Sequence, residues 1–176
     1  MITLTLAFLA AHPPARQVFP LGSKETAAYE DLLKDRDPGW DQAFNFDIGG
    51  GTLLSFVPVK SKERPETRCA YALVESPTKI AAELESTTPS SWACDEIDAV
   101  GFPDLDGDGK LDIVVVREFM TGIGPTGAQP FTVAEAWINK GGGKFAADEK
   151  LNESLEKKKA KTIGDVKKLA KARFGK

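Results

Sequence analysis

Apolar residues recur along this chain with two different periods. In the segment "SKETAAYEDLLKDRDPGW" they fall at helical spacing. Ala28, Tyr29, Leu32 and Leu33 share one face, Ser23 is placed as N-cap and Pro38-Gly39 as the stop. From Phe44 to Phe145 that period gives way to short apolar runs separated by Gly, Pro, Ser and charge, the texture of a β-protein. Strands are predicted at 52–59, 69–75, 79–84, 97–102, 111–119, 131–139 and 144–146. Ile113, Val114, Val115 and Val116 are apolar on both faces, which predicts a central strand covered above and below. In "TIGDVKKLAKARF" helical spacing returns. Thr162 and Asp165 stand at capping-box separation, and Ile163, Val166, Leu169 and Ala170 on one face predict a surface helix laid on the sheet.

The run from Ile2 to Ala11 is too short to cross a bilayer and has the length of a signal-peptide core, with Pro13 and Pro14 closing it. No Lys or Arg precedes it, and a first strand is the competing reading. On the export reading, residues 1–15 are a leader and 16–176 a single domain in the periplasm or outside the cell, with no further membrane-spanning segment. With 176 residues and 41% hydrophobic content, the chain suffices for one core. Cys69 and Cys94 are the only cysteines, and His12 the only histidine. With no CxxC spacing and too few nitrogen or sulfur partners, zinc is excluded. In an exported chain the two cysteines form a disulfide; the alternative is two buried thiols.

The formal charge of −3 argues against nucleic-acid binding. It conceals a division. Ten Lys or Arg against three Asp or Glu from Lys150 onward make the tail +7, whereas residues 1–149 carry 13 basic and 23 acidic residues, or −10. The tail's lysines are expected on a solvated helix face.

Negative charge is densest in "DLDGDGKLDIVVV". Asp104, Asp106, Asp108 and Asp112 occupy positions 1, 3, 5 and 9 of a calcium loop. Lys110 at position 7 can offer its main-chain carbonyl, and Gly109 at position 6 permits the sharp turn. Hard oxygen donors in this number suit calcium rather than a transition metal. Position 12, where an EF-hand needs a bidentate Glu, is Val115. The loop therefore borders a strand, and Asp112 or an acid from elsewhere, such as Asp95, Glu96 or Asp98, must complete the shell.

This stretch resembles the calcium loop and following strand of FG-GAP or VCBS repeats. "WINKGGGKF", Trp137 to Phe145, resembles the N-x-G-x-G-x-F turn that closes such a repeat. In that family the repeats tile into propellers. One copy is present here, which favours a mainly β chain built as a compact antiparallel sheet or sandwich, or a propeller-like sheet, with one calcium loop and helices flanking it at both termini. The combination of leader, disulfide, calcium loop and a long following loop also resembles small bacterial envelope proteins, some similar to lysozyme inhibitors. That resemblance implies a binding partner that is itself a protein.

"GIGPTG" (Gly122, Ile123, Gly124, Pro125, Thr126, Gly127) satisfies G-x-G-x-x-G literally. Pro125 and Pro130 forbid the helix that a nucleotide fingerprint requires, so no nucleotide is expected. The segment reads instead as a long loop between neighbouring strands, either a plain connection or a partner-contacting surface. Catalysis lacks its usual parts: no histidine beyond the leader, no G-x-S-x-G, and no carboxylate pair more distinctive than Glu118 and Glu135. The expected function is therefore binding rather than catalysis, with another protein in the envelope or outside the cell as the partner, in a lysozyme-inhibitor-like or immunity-like role. A carbohydrate-active hydrolase and a polysaccharide-binding module are the alternatives.

Overall fold

In the computed structural model the chain is described over residues 17–61, 69–88, 93–121 and 129–175. The proposed leader with His12, and the 122–127 loop, lie outside them. Ten strands and three α-helices follow in order: β1 (Val18–Pro20), α1 (Ser23–Tyr29), β2 (Arg36–Pro38), β3 (Phe44–Asp47), β4 (Leu53–Ser61), β5 (Cys69–Ser76), β6 (Lys79–Glu85), β7 (Ala93–Gly101), β8 (Ile113–Thr121), β9 (Gln129–Gly141), β10 (Lys144–Ala147), α2 (Glu149–Lys158) and α3 (Ile163–Phe174). Every strand pairing is antiparallel. The first sheet runs β1-β3-β4-β5-β6, with β2 joining the far end of β4, and the second runs β10-β9-β8-β7. The chain is mainly β, two sheets with helices outside them, as its periodicity predicts.

The sheets face one another across the main core. Phe46, Leu54, Phe56, Tyr71 and Leu73 from the first meet Ile113, Val115 and Trp137 from the second, with Leu111 from the loop before β8. Phe46 stacks on Phe102 with centroids 4.6 Å apart, and Tyr71 meets Trp137 edge-on at 5.0 Å. Alternation then sends Val114 and Val116 to the opposite face, where Ala134, Ala136 and Ile138 join Leu151, Leu155, Val166 and Ala170 beneath α2 and α3. The run 113–116 is thus covered on both sides. On the outer face of the first sheet, Tyr29 and Leu33 cover Val57, Val59, Ala72 and Val74. Gly101 ends β7 against α3: a Cβ there would stand 3.1 Å from the Ile163 side chain.

Three local expectations are corrected. The N-terminal helix stops at Tyr29 rather than at Pro38, and its N-cap is Gly22, whose N–H donates to Glu25 at 2.7 Å, rather than Ser23. Tertiary pairing overrides helical spacing: Arg36–Pro38 lies along β4, and Pro38 is tolerated because among the described residues this short strand pairs with β4 alone. The second correction is that β7 begins at Ala93 rather than Ile97, since two register shifts against β8 blur the alternation. Third, α2 precedes the predicted C-terminal helix. Asp148 caps it by accepting from Leu151 N at 2.8 Å.

A disulfide joins Cys69 on β5 to Cys94 on β7, with Cα atoms 5.6 Å apart, and so ties the two sheets together beside Phe119. It closes a separation of 25 residues. Replacing both cysteines by serine should lower stability by about 3 kcal/mol. Urea denaturation of the variant should match that of the native chain in reductant; identical midpoints for the oxidised native chain and the variant would show the bond to be inert.

Candidate metal centre

The loop between β7 and β8 is closed by the main chain before any side chain acts: Asp112 N donates to Pro103 O at 2.8 Å. Gly107 and Gly109 take φ of 71° and 92°, left-handed conformations that side chains resist and glycine adopts readily. Each aspartate then braces the turn. Asp104 Oδ2 accepts from Gly109 N at 3.1 Å, Asp106 Oδ1 from Asp108 N at 3.1 Å, and Asp108 Oδ1 from Lys110 N at 2.9 Å.

The result is a convergence of charge. Carboxylate oxygens of Asp104, Asp106 and Asp108 all lie within 4.8 Å of one another, a spacing one divalent ion can bridge. Lys110 extends its ammonium group onto Asp108. Partial burial disfavours the charged Asp108 carboxylate, but the hydrogen bonds from Lys110 outweigh it and hold the group below its ordinary range. The same contact raises Lys110. A metal would compete with this ammonium for Asp108, and the partly exposed lysine can swing away.

Asp112 behaves differently. It is fully buried, and its two oxygens accept from Leu105 N at 2.6 Å and Asn139 N at 2.8 Å. It stands outside the three-carboxylate cluster and anchors the loop to the sheet. Asp95, Glu96 and Asp98, considered above as completing ligands, lie on β7 and do not join the cluster either.

Asn139 completes the anchor. Its side chain donates to Ile48 O at 3.2 Å and Leu111 O at 3.1 Å, and accepts from Gly141 N at 2.8 Å. Gly141, Gly142 and Gly143 follow at positive φ and turn β9 into β10. "DLDGDGKLD" and "NKGGGKF", recognised separately in the sequence, thus meet at one buried carboxylate.

Two further sequence candidates are placed. Glu118 and Glu135 lie on opposite faces of the second sheet: Glu135 is opposite Val115 on the inter-sheet side, whereas Glu118 shares the face of Val116. They do not form a carboxylate pair across a cleft. The 122–127 loop joins β8 to β9, which pair to their ends with Thr121 opposite Gln129. Sequence reasoning missed a buried polar set. Glu135 accepts from Tyr71 Oη at 3.0 Å, Ser86 Oγ at 2.8 Å and Thr87 Oγ1 at 2.9 Å, while Arg117 Nη1 donates to Tyr71 at 3.2 Å. Burial first, and then the Glu135 charge, raise Tyr71 well above the usual phenol value, so it stays neutral.

No family model matches this chain, and neither curated proteins nor solved structures yield a match. Geometry and residue chemistry therefore carry the functional reading.

Burial pushes Asp112 up from 3.8 to about 6, reinforced by the charges of Asp106 and Asp104 and opposed by its two main-chain donors. Because the folded value lies above the ordinary one, the stability linked to this group is present below about pH 4 and lost as pH rises through about 6. Without divalent cation, Asp112 should cost the fold about 2–3 kcal/mol between those limits. Urea titrations across this range should lose that component in Asp112→Asn. An unchanged slope would remove Asp112 as its source.

Proposed function

We propose that this chain is an exported, calcium-stabilised binding domain, and that its partner is another protein in the bacterial envelope or outside the cell. The observation that carries the calcium part is the convergence of Asp104, Asp106 and Asp108 within 4.8 Å on a turn fixed by two positive-φ glycines. Carboxylates held so close repel unless a cation lies among them, and Lys110 supplies one positive charge against three negative. Calcium fits the all-oxygen donor set, with the main-chain carbonyl of Lys110 as a further donor. The meeting of the two motif halves at Asp112 and Asn139 supports a likeness to an FG-GAP or VCBS repeat.

Export is supported by the Cys69–Cys94 disulfide, a bond that persists in oxidising compartments. No helix among the described residues is long and apolar enough to cross a membrane. Binding is favoured over carbohydrate hydrolysis because Glu118 and Glu135 occupy opposite faces of their sheet. Calcium bound by three carboxylates would serve to fix the loop to the sandwich, leaving contact to neighbouring surface. The 122–127 segment, strung between two paired strands of a rigid sheet, is assigned that contact, with a lysozyme-inhibitor-like role as one concrete form.

Calcium at about a hundredfold its dissociation constant should stabilise the fold by about 2.7 kcal/mol. For a chain of this size that corresponds to a rise in Tm of about 5–10 °C. Asp106→Ala with Asp108→Ala should abolish the rise without unfolding the metal-free protein. A melting curve indifferent to calcium would sink the calcium assignment. Replacing residues 122–127 by a short turn should leave the calcium response intact and remove captured envelope partners; an unaltered captured set would reduce the segment to a connector.

A further inference from the structure

A second site lies apart from the aspartate loop. A cleft of about 320 Å³ opens where β2, the Trp40–Gln42 turn and β4 of one sheet approach β7 and β8 of the other. Its charged lining comprises Asp37, Asp41, Lys60, Asp95, Glu96 and Arg117. These charges are ordered by depth. Arg117, 1% exposed, forms the floor, whereas Asp37, Asp41 and Glu96 are exposed and Asp95 and Lys60 half-buried.

Arg117 is incompletely satisfied. Of its five N–H donors, only Nη1 donates among the described residues, to Tyr71 Oη at 3.2 Å, and its buried Nε donates to nothing. Among the described residues it makes no ion pair. The rings of Tyr71 and Phe119, at 5.5 and 5.9 Å, face the guanidinium carbon. Glu135 bonds the same phenol, but it is held by Tyr71, Ser86 and Thr87 and makes no direct bond to the guanidinium among the described residues. A guanidinium stripped of water without a paired carboxylate is costly, and a buried donor left open calls for an acceptor.

We propose that this cleft binds a small zwitterion of the α-amino acid class, its carboxylate directed toward Arg117 and its ammonium group toward Asp37, Asp41, Asp95 and Glu96. A simple anion would meet a lining with four carboxylates and two cations, net −2, and be repelled at the rim. A simple cation would satisfy the rim and leave the floor as it is. A ligand bearing both charges answers both demands, with the negative end deep. The volume lies at the lower end of the roughly 300–1,000 Å³ usual for ligand cavities, which suits an amino acid better than a larger ligand. No calcium ligand is involved, so this site stands or falls separately from the metal assignment.

The test is a nuclear magnetic resonance titration of the full, disulfide-bonded chain in calcium-containing buffer, with L-alanine and L-lysine as probes and acetate and methylammonium as single-charge controls. Saturable amide shifts confined to residues 37–42, 58–60, 95–97 and 117 are expected from at least one zwitterion, with millimolar midpoints, and none from either control. Arg117→Met should abolish the shifts but can also disturb the core. The rim pair Asp41→Asn with Asp95→Asn leaves the core untouched and should weaken binding about tenfold. No saturable response to either zwitterion, saturation by acetate alone at the same midpoint, or indifference to the rim substitutions would overturn the proposal.

Discussion

The functional geometry of this protein depends on one buried carboxylate accepting two main-chain hydrogen bonds. Asp112 stands where the aspartate loop becomes β8, and its oxygens reach back to Leu105 and across to Asn139. Remove that acceptor and two buried N–H groups lose their partner, each at a cost of about 1–3 kcal/mol. The loop would then no longer be held against the sheet. Its position also explains why charge can be concentrated there at all: Leu105 and Leu111 are buried on either side of the tip, so the loop is pinned by apolar contacts at its base while Asp104 and Asp106 stay half-buried and Asp108 is exposed.

A second polar stitch holds the sandwich farther along the same strands. Tyr71 of β5 bridges Glu135 of β9 and Arg117 of β8, so one phenol connects the two sheets inside a mostly apolar layer. Glu135 spends its other oxygen on Ser86 and Thr87, fixing the chain as it leaves β6. A hydrophobic interface would hold two sheets together in many registers. Directional bonds to buried charges, together with the Cys69–Cys94 bond, favour one of them. The charge that remains incompletely met in this arrangement is that of Arg117, which is the floor of the inter-sheet cleft.

Much of this organisation was legible in the sequence because alternation and turn chemistry are local. All seven predicted strands exist, and Ile113–Val116 lies between two apolar layers because nothing but a doubly covered strand accommodates four successive β-branched residues. The three unpredicted strands, β1, β2 and β3, have three or four residues each, too few for a period to register. α2 was hidden because only Leu151 and Leu155 mark its buried face amid charged residues, although Asp148 three positions ahead of Leu151 was a readable cap. Asp104, Asp106 and Asp108 converge as their spacing suggests. The sequence could not reveal that Asp112 turns inward, since its donors come from Leu105 and from Asn139, 27 residues away.

The cleft charges escaped notice for a related reason. On a strand buried on both faces, parity assigns Arg117 to the side of Ile113 and Val115 but says nothing about what lies opposite. Its neighbours arrive from β2, β4 and β7 through contacts made only after both sheets assemble. Asp95 and Glu96 illustrate the difference: their closeness in sequence to the aspartate loop suggested a shared ion, yet β7 carries them toward Arg117 instead. Sequence proximity gathers like charges readily, as in the loop. Bringing opposite charges to different depths of one cavity requires the tertiary fold, and that separation by depth is what distinguishes a site selective for a dipolar ligand from an acidic surface.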